Sequence, residues 1–175
     1  MLYWFVSTRP PFVSEPLVAP TEQDPKELEI IRAFREKYQI QQKFFLELDY
    51  FCEPGPYVKV RALDMKHVQE LVRMFRQFDP QNVYVTAVLF TTKGKEHVRT
   101  HIEDYRGMLQ ISCGNHSLEA FRLCLNSALP KNRHVFEKMS ADIFVLPLNP
   151  TTEIRDTLIM LGTSDNVYRN VGKAM

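Results

Sequence analysis

The densest run of chemistry-bearing residues lies between positions 93 and 101, where Lys93, Lys95, His97, Arg99 and His101 all occupy odd positions. In an extended segment successive side chains alternate between faces, so all five would share one face. A one-sided row of cations suits phosphate, because closely spaced positive charges displace the counterions condensed on a nucleic-acid backbone. Lys131, Arg133 and His134 form a smaller basic group. Lys93, Lys95, His97, Arg99, His101, Lys131 and Arg133 are therefore the candidate phosphate contacts. The competing reading is a solvated strand face or loop.

Other chemistries find less support. His97 and His101 are four apart, which would suit a metal ion on a helix. No third ligand follows at a usable spacing, and Gly94 with its β-branched neighbours disfavours a helix, so no metal site is expected. The chain has no Gly-x-Gly-x-x-Gly, no P-loop and no serine in a nucleophile-elbow setting. Glu103 and Asp104 are adjacent, and adjacent strand residues point to opposite faces, so they make no acid/base pair. Asp64 is better read as a helix cap than as a base. Cys113 and Cys124 read as small core residues. No catalytic residue and no cofactor are expected.

Composition bounds the rest. The chain has 175 residues with Lys+Arg 22 against Asp+Glu 21, a formal charge of +1. Hydrophobic residues make up 45%, which excludes disorder as the overall class. The length favours a single core. No apolar run approaches the roughly 20 residues of a membrane span. A near-neutral balance argues against a free-standing nucleic-acid binder. The 3 cysteines include no Cys-x-x-Cys pair, so neither a disulfide framework nor a zinc ribbon is expected. Asn115-His116-Ser117 fits a glycosylation sequon, but nothing else looks secreted.

The basic residues need elements to position them. Pro10, Pro11, Pro16, Pro20 and Pro25 make the beginning an extended arm. Residues 1–9 are apolar with one arginine and no acid; a short organellar targeting signal is one reading, although the Arg/Ser-rich composition of such signals is missing. Asp24-Pro25 starts a helix with the stripe Ile30, Phe34, Tyr38. Phe44 to Phe51 reads as a strand, Glu53-Pro54-Gly55-Pro56 as a turn, and Tyr57 to Ala62 as an alternating, half-buried strand that could complete a hairpin. Asp64 caps a helix whose stripe is Val68, Leu71, Val72, Phe75 and Phe78. Val83 to Phe90 is a strand buried on both faces. Thr91 to Tyr105 is polar, and Met108 to Ile111 is the next strand. Ser117 caps a helix with the stripe Leu118, Phe121, Leu125 and Leu129, stopped by Pro130. Ile143 to Leu148 is the last strand, and Asn149-Pro150 opens a closing helix with the stripe Ile154, Leu158, Leu161 and a Gly162 cap.

From Tyr57 onward this is β-α-β-β-α-β. The expected class is α+β with a ferredoxin-like core, an antiparallel sheet carrying two helices on one face. The expected organisation is an N-terminal extension (1–56), the ferredoxin-like domain (57–148) and a C-terminal helix and tail (149–175).

The residues of this core resemble the ribosomal protein S-ten family. Val58-Lys59-Val60-Arg61-Ala62-Leu63-Asp64 resembles the family's first strand, ending in the Asp that caps the first helix. Val83 to Lys93 resembles its second strand, with Leu89-Phe90-Thr91-Thr92-Lys93 where the family usually reads Pro-Leu-Pro-Thr-Lys. Arg99-Thr100-His101 matches the family's Arg-Thr-His. Ser117 to Pro130, ending Ala128-Leu129-Pro130, is similar to the second helix of mitochondrial members, and Asp142-Ile143-Phe144-Val145 to the final strand. The likeness spans roughly half the chain. The family's long hairpin between strands two and three is shortened here.

The resemblance implies a structural constituent of the mitochondrial ribosome without enzymatic activity, in the small-subunit head, not a free homo-oligomer. It would meet ribosomal RNA through the basic hairpin and neighbouring ribosomal proteins through its extensions. A large-subunit mitochondrial paralogue of the same fold, and a non-ribosomal interaction subunit of an organellar complex, are the alternatives.

Overall fold

Caps and apolar spacing place the helices. The structure, a computed structural model, describes residues 24–173, with side chains as far as Thr163. The proline-rich arm, the suggested targeting segment and the last two residues lie outside the described residues. α1 (Pro25–Tyr38) starts at Asp24, whose side chain accepts from the Lys26 N–H at 2.9 Å. It buries Ile31 and Phe34, leaving Ile30 46% exposed, so its inner stripe is rotated from the one expected. α2 (Met65–Gln77) is capped by Asp64. It buries Val68, Leu71, Val72 and Phe75 at i, i+3, i+4 and i+7, as its spacing predicts.

Among the described residues five strands form one mixed sheet: β1 (Phe44–Glu47), β2 (Phe51–Cys52), β3 (Tyr84–Phe90), β4 (Leu109–Cys113) and β5 (Lys138–Leu146), in the order β1-β5-β3-β4-β2. β3 and β5 run parallel from Tyr84 opposite Ser140 to Phe90 opposite Leu146. Both are buried on both faces, which their near-continuous apolar runs require. The α+β class holds, but the sheet is mixed where an antiparallel one was expected, and its strand order differs from the ferredoxin-like one.

Two local differences account for this. Phe44 to Phe51 does not continue as one strand, because a 3-10 turn at Leu48–Tyr50 interrupts it. Tyr57 to Ala62 makes no ladder. Its alternation instead reflects one-sided burial: Val58 is buried and Val60 partly buried against α1 and the closing helix α5 (Thr152–Lys173), while Lys59 and Arg61 face out. A period of two reports a half-buried extended chain, whether or not its N–H groups find a neighbouring strand.

The sheet also curls. β1 and β2 sit at opposite edges, yet only the turn Leu48–Tyr50 separates them. Four residue steps reach at most about 14 Å, whereas four strand spacings of a flat sheet span about 19 Å. Arg106 holds the junction. Its guanidinium bonds Glu47 at 3.0 Å and Asp49 at 2.6 Å and lies 4.2 Å from the Tyr50 ring centroid.

Helices cover both faces, where one covered face was expected. α2 and α4 (Asn115–Ser127) pack with β1, β3, β4 and β5 around Phe75, Phe121, Ile111 and Ile143. α1 and α5 close the other side over Val88, Phe144 and Leu146. α4 begins two residues before the expected cap. Gly114 is its N-cap, and Ser117 is buried inside the helix. Its inner face is Leu118, Ala120, Phe121 and Cys124, while Leu129 is 60% exposed beyond its end. β5 starts five residues earlier than expected, and α5 runs through Gly162 instead of stopping there. The residues of the suggested glycosylation sequon open α4, with His116 and Ser117 buried.

Candidate nucleic-acid interface

The basic ribbon is not extended. Lys95–Thr100 forms the helix α3, with Gly94 as its N-cap. On a helix the five odd-numbered residues no longer share a face. His97 and His101 become neighbours one turn apart, their rings stacked with centroids 4.3 Å apart. No group of three or more His, Cys, Asp or Glu residues among the described residues could hold a metal ion.

Several of the expected phosphate contacts serve the chain itself. The Lys95 ammonium donates to the carbonyls of Glu36 at 2.9 Å and Gln39 at 3.4 Å. These carbonyls close α1, where the helix dipole concentrates negative charge and orphan acceptors. Arg133 plays the same part for α4, donating to the Leu125 carbonyl at 3.0 Å. Arg99 pairs with Glu96 one turn earlier at 2.9 Å. Lys93 and Lys131 are exposed.

The two basic groups also lie apart. Thr91 donates to the Leu146 carbonyl, so the 93–101 segment leaves from the C-terminal end of β5. Lys131 and Arg133 belong to a 3-10 turn that leads into the other end of β5. Between the points where the two segments join it, β5 spans eight residue steps, about 26 Å. No continuous basic strip forms from the expected residues.

Comparison with protein-family models, with characterised proteins and with solved structures finds no match.

A polar junction that the sequence reading did not single out lies between α2 and α4. Their N-terminal ends adjoin, because the Asp64 N–H donates to His116 Nε2 at 3.0 Å. Their C-terminal ends also adjoin, since Arg76 donates to Ser127 Oγ at 2.7 Å. The helices are therefore parallel. His116 Nδ1 lies 3.0 Å from Asn115 Oδ1, and Asn115 donates to the Arg61 carbonyl at 2.8 Å. With Nε2 accepting, the imidazole is neutral and its proton sits on Nδ1. Beside this junction a concavity of about 270 Å³ is lined by Lys59, Arg61, Gly114, Asn115 and Thr163, among others. The alternation Val58-Lys59-Val60-Arg61 held the signal for the two cations, but nothing local shows that they would adjoin the start of α4.

The thiols offer little chemistry. Cys113 and Cys124 are buried. Burial pushes the Cys52 thiol up from its ordinary range, and the adjacent Glu53 carboxylate adds to the effect. A thiol kept protonated is a poor nucleophile. Among the described residues no helix is long and apolar enough to cross a membrane.

A measurement separates the internal cations from the external ones. Lys95→Ala should cost about 0.5–1 kcal/mol by uncapping α1, while Lys93→Ala should stay within about 0.5 kcal/mol of the parent. Urea denaturation of both variants checks this. Equal midpoints would deny Lys95 its capping role.

Proposed function

We propose that the chain is a non-catalytic structural subunit of the mitochondrial ribosome, belonging to the small-subunit head. Neighbouring proteins seat it, and ribosomal RNA touches it only locally. The resemblance of Arg99-Thr100-His101, Ser117–Pro130 and Asp142–Val145 to the S-ten family supports the reading. Apart from the inserted helix α3, the helix and strand order from α2 to β5 is the family's element order, although the strands are arranged differently in the sheet.

The observation that carries the local character of the RNA contact is the internal use of Lys95, Arg99 and Arg133. A guanidinium or ammonium engaged by a helix end or a carboxylate must give up that partner before it can neutralise a phosphate. With a formal charge of +1, little positive charge remains for RNA. The same observation favours a second reading, an interaction subunit of another organellar complex that makes no RNA contact.

Sedimentation of the tagged protein in a magnesium-containing gradient distinguishes these readings. Co-migration with small-subunit RNA is expected. Migration with the large subunit would replace the assignment by its paralogue. A particle devoid of ribosomal RNA would favour the second reading.

A further inference from the structure

We infer that the outer groove between α2 and α4 is a docking site for an acidic amphipathic helix of a partner protein. The inference goes beyond the functional reading above and does not depend on which assembly holds the chain.

The groove follows from the packing of the two helices. α2 and α4 lie side by side in parallel, joined at their starts by Asp64 and His116 and at their ends by Arg76 and Ser127. Their inner faces enter the core, and the valley between their outer faces opens to solvent as a concavity of about 760 Å³. From α2 it is lined by Gln69, Val72, Arg73 and Arg76, a stripe at i, i+3, i+4 and i+7, with Gln77 beside them. Leu123 and Ser127, one turn apart, line it from α4.

The lining has two properties. Val72 and Leu123 make an apolar floor, and the apolar Leu129 stands exposed just past the end of α4. Every charged residue of the lining is an arginine. Glu119, on α4 one turn before Leu123, is paired with Arg122 at 3.6 Å. An occupant must therefore bring apolar side chains to the floor and carboxylates to the wall.

An amphipathic helix meets both demands. Its apolar residues at i, i+4 and i+7 follow the floor, and flanking Glu or Asp residues reach the exposed Arg73 guanidinium. α2 and α4 have 13 residues each, about 20 Å of helix, so a partner of three to four turns spans the groove. RNA fits less well. The lining has no aromatic ring for a base to stack on, and phosphates gain nothing from an apolar floor. A second copy of the chain fits less well too, because docking this groove on itself would set arginine against arginine.

The test uses the full chain and a fluorescent helical peptide of about 16 residues, with leucines on one face and glutamates on both flanks. Its controls are the same peptide with lysine for every glutamate, and a single-stranded oligouridylate. The expected result is saturable binding of the acidic peptide and none of the lysine peptide. Arg73→Glu, an exposed position that leaves the core intact, should weaken the acidic peptide about tenfold or more. The Arg73→Glu chain should also gain affinity for the lysine peptide. Circular dichroism confirms that the variant is folded before binding is read. Failure of the acidic peptide to bind at millimolar concentration would overturn the proposal. So would indifference of its binding to Arg73→Glu, or tighter binding of the oligouridylate that is lost in that variant.

Discussion

Gly114→Ala is expected to cost about 2–5 kcal/mol, a large share of the stability of a domain this size. Two separate penalties meet at this residue. Gly114 is the single residue between β4 and α4, and it turns the chain at φ +96°. That conformation costs an alanine about 1–2 kcal/mol. A Cβ added there would also lie 2.9 Å from Val85 Cγ1 and 3.2 Å from Val85 Cα. Val85 is fully buried in β3, so neither its backbone nor its methyl can retreat freely, and overpacking adds about 1–3 kcal/mol. Gly107→Ala separates the two penalties. Gly107 also has positive φ, +79°, but its added Cβ would meet only the Asp49 carbonyl at 3.8 Å. It should lose the conformational penalty alone, about 1–2 kcal/mol. Urea denaturation of both variants gives the comparison, and equal losses would show that the contact with Val85 is relieved at no cost.

The second large effect is expected at Phe75. Its side chain is 0% exposed and meets the Phe121 ring edge-on, with centroids 5.4 Å apart. Phe121 in turn meets Phe136 edge-on at 5.6 Å. The three rings tie α2 to α4 and to the turn that enters β5, so Phe75 anchors an element pair that is distant in sequence. Phe75→Ala should cost about 3–5 kcal/mol through lost transfer energy and the cavity left behind. Phe75→Leu keeps most of the volume and should cost less than about 1.5 kcal/mol. Thermal or urea unfolding followed by circular dichroism reads both. A loss well under about 1 kcal/mol for the alanine variant would mean that the site collapses around the deletion, or that the helix does not face the core.

The same pair of helices holds the exposed groove, and the two roles divide the surface of α2. Val68, Leu71 and Phe75 enter the core, while Gln69, Arg73 and Arg76 face outward. Val72 serves both, buried at the border and exposed enough to contribute to the floor. Core substitutions should therefore disturb the groove, whereas Arg73→Glu should leave the unfolding midpoint close to the parent value.

Local rules were enough for much of the chain. Asp24 and Asp64 cap helices where their spacing from the first apolar turn says they should, because an N-cap is a bond between residues two or three apart. The stripe of α2 and the doubly buried run of β3 were legible for the same reason. Burial writes a period of 3.6 residues, or an unbroken apolar run, directly into the chain. The closing helix showed its inner residues Leu158 and Leu161 in the same way.

Interactions between distant segments decided the rest. Alternation placed Val58 and Val60 inward and Lys59 and Arg61 outward, but no local pattern says whether an extended chain finds a strand to pair with. The edge strands β1 and β2 instead follow one another through the curl held by Arg106. Odd spacing from Lys93 to His101 was compatible with a cationic ribbon, yet α3 forms there. Lys95 turns to the chain itself because the Glu36 and Gln39 carbonyls that end α1 stand beside it. A side chain's type and its neighbours in sequence set what it can bind. Which acceptor claims it first depends on the helix ends and carboxylates that folding brings within 3 Å, and only the tertiary structure decides that.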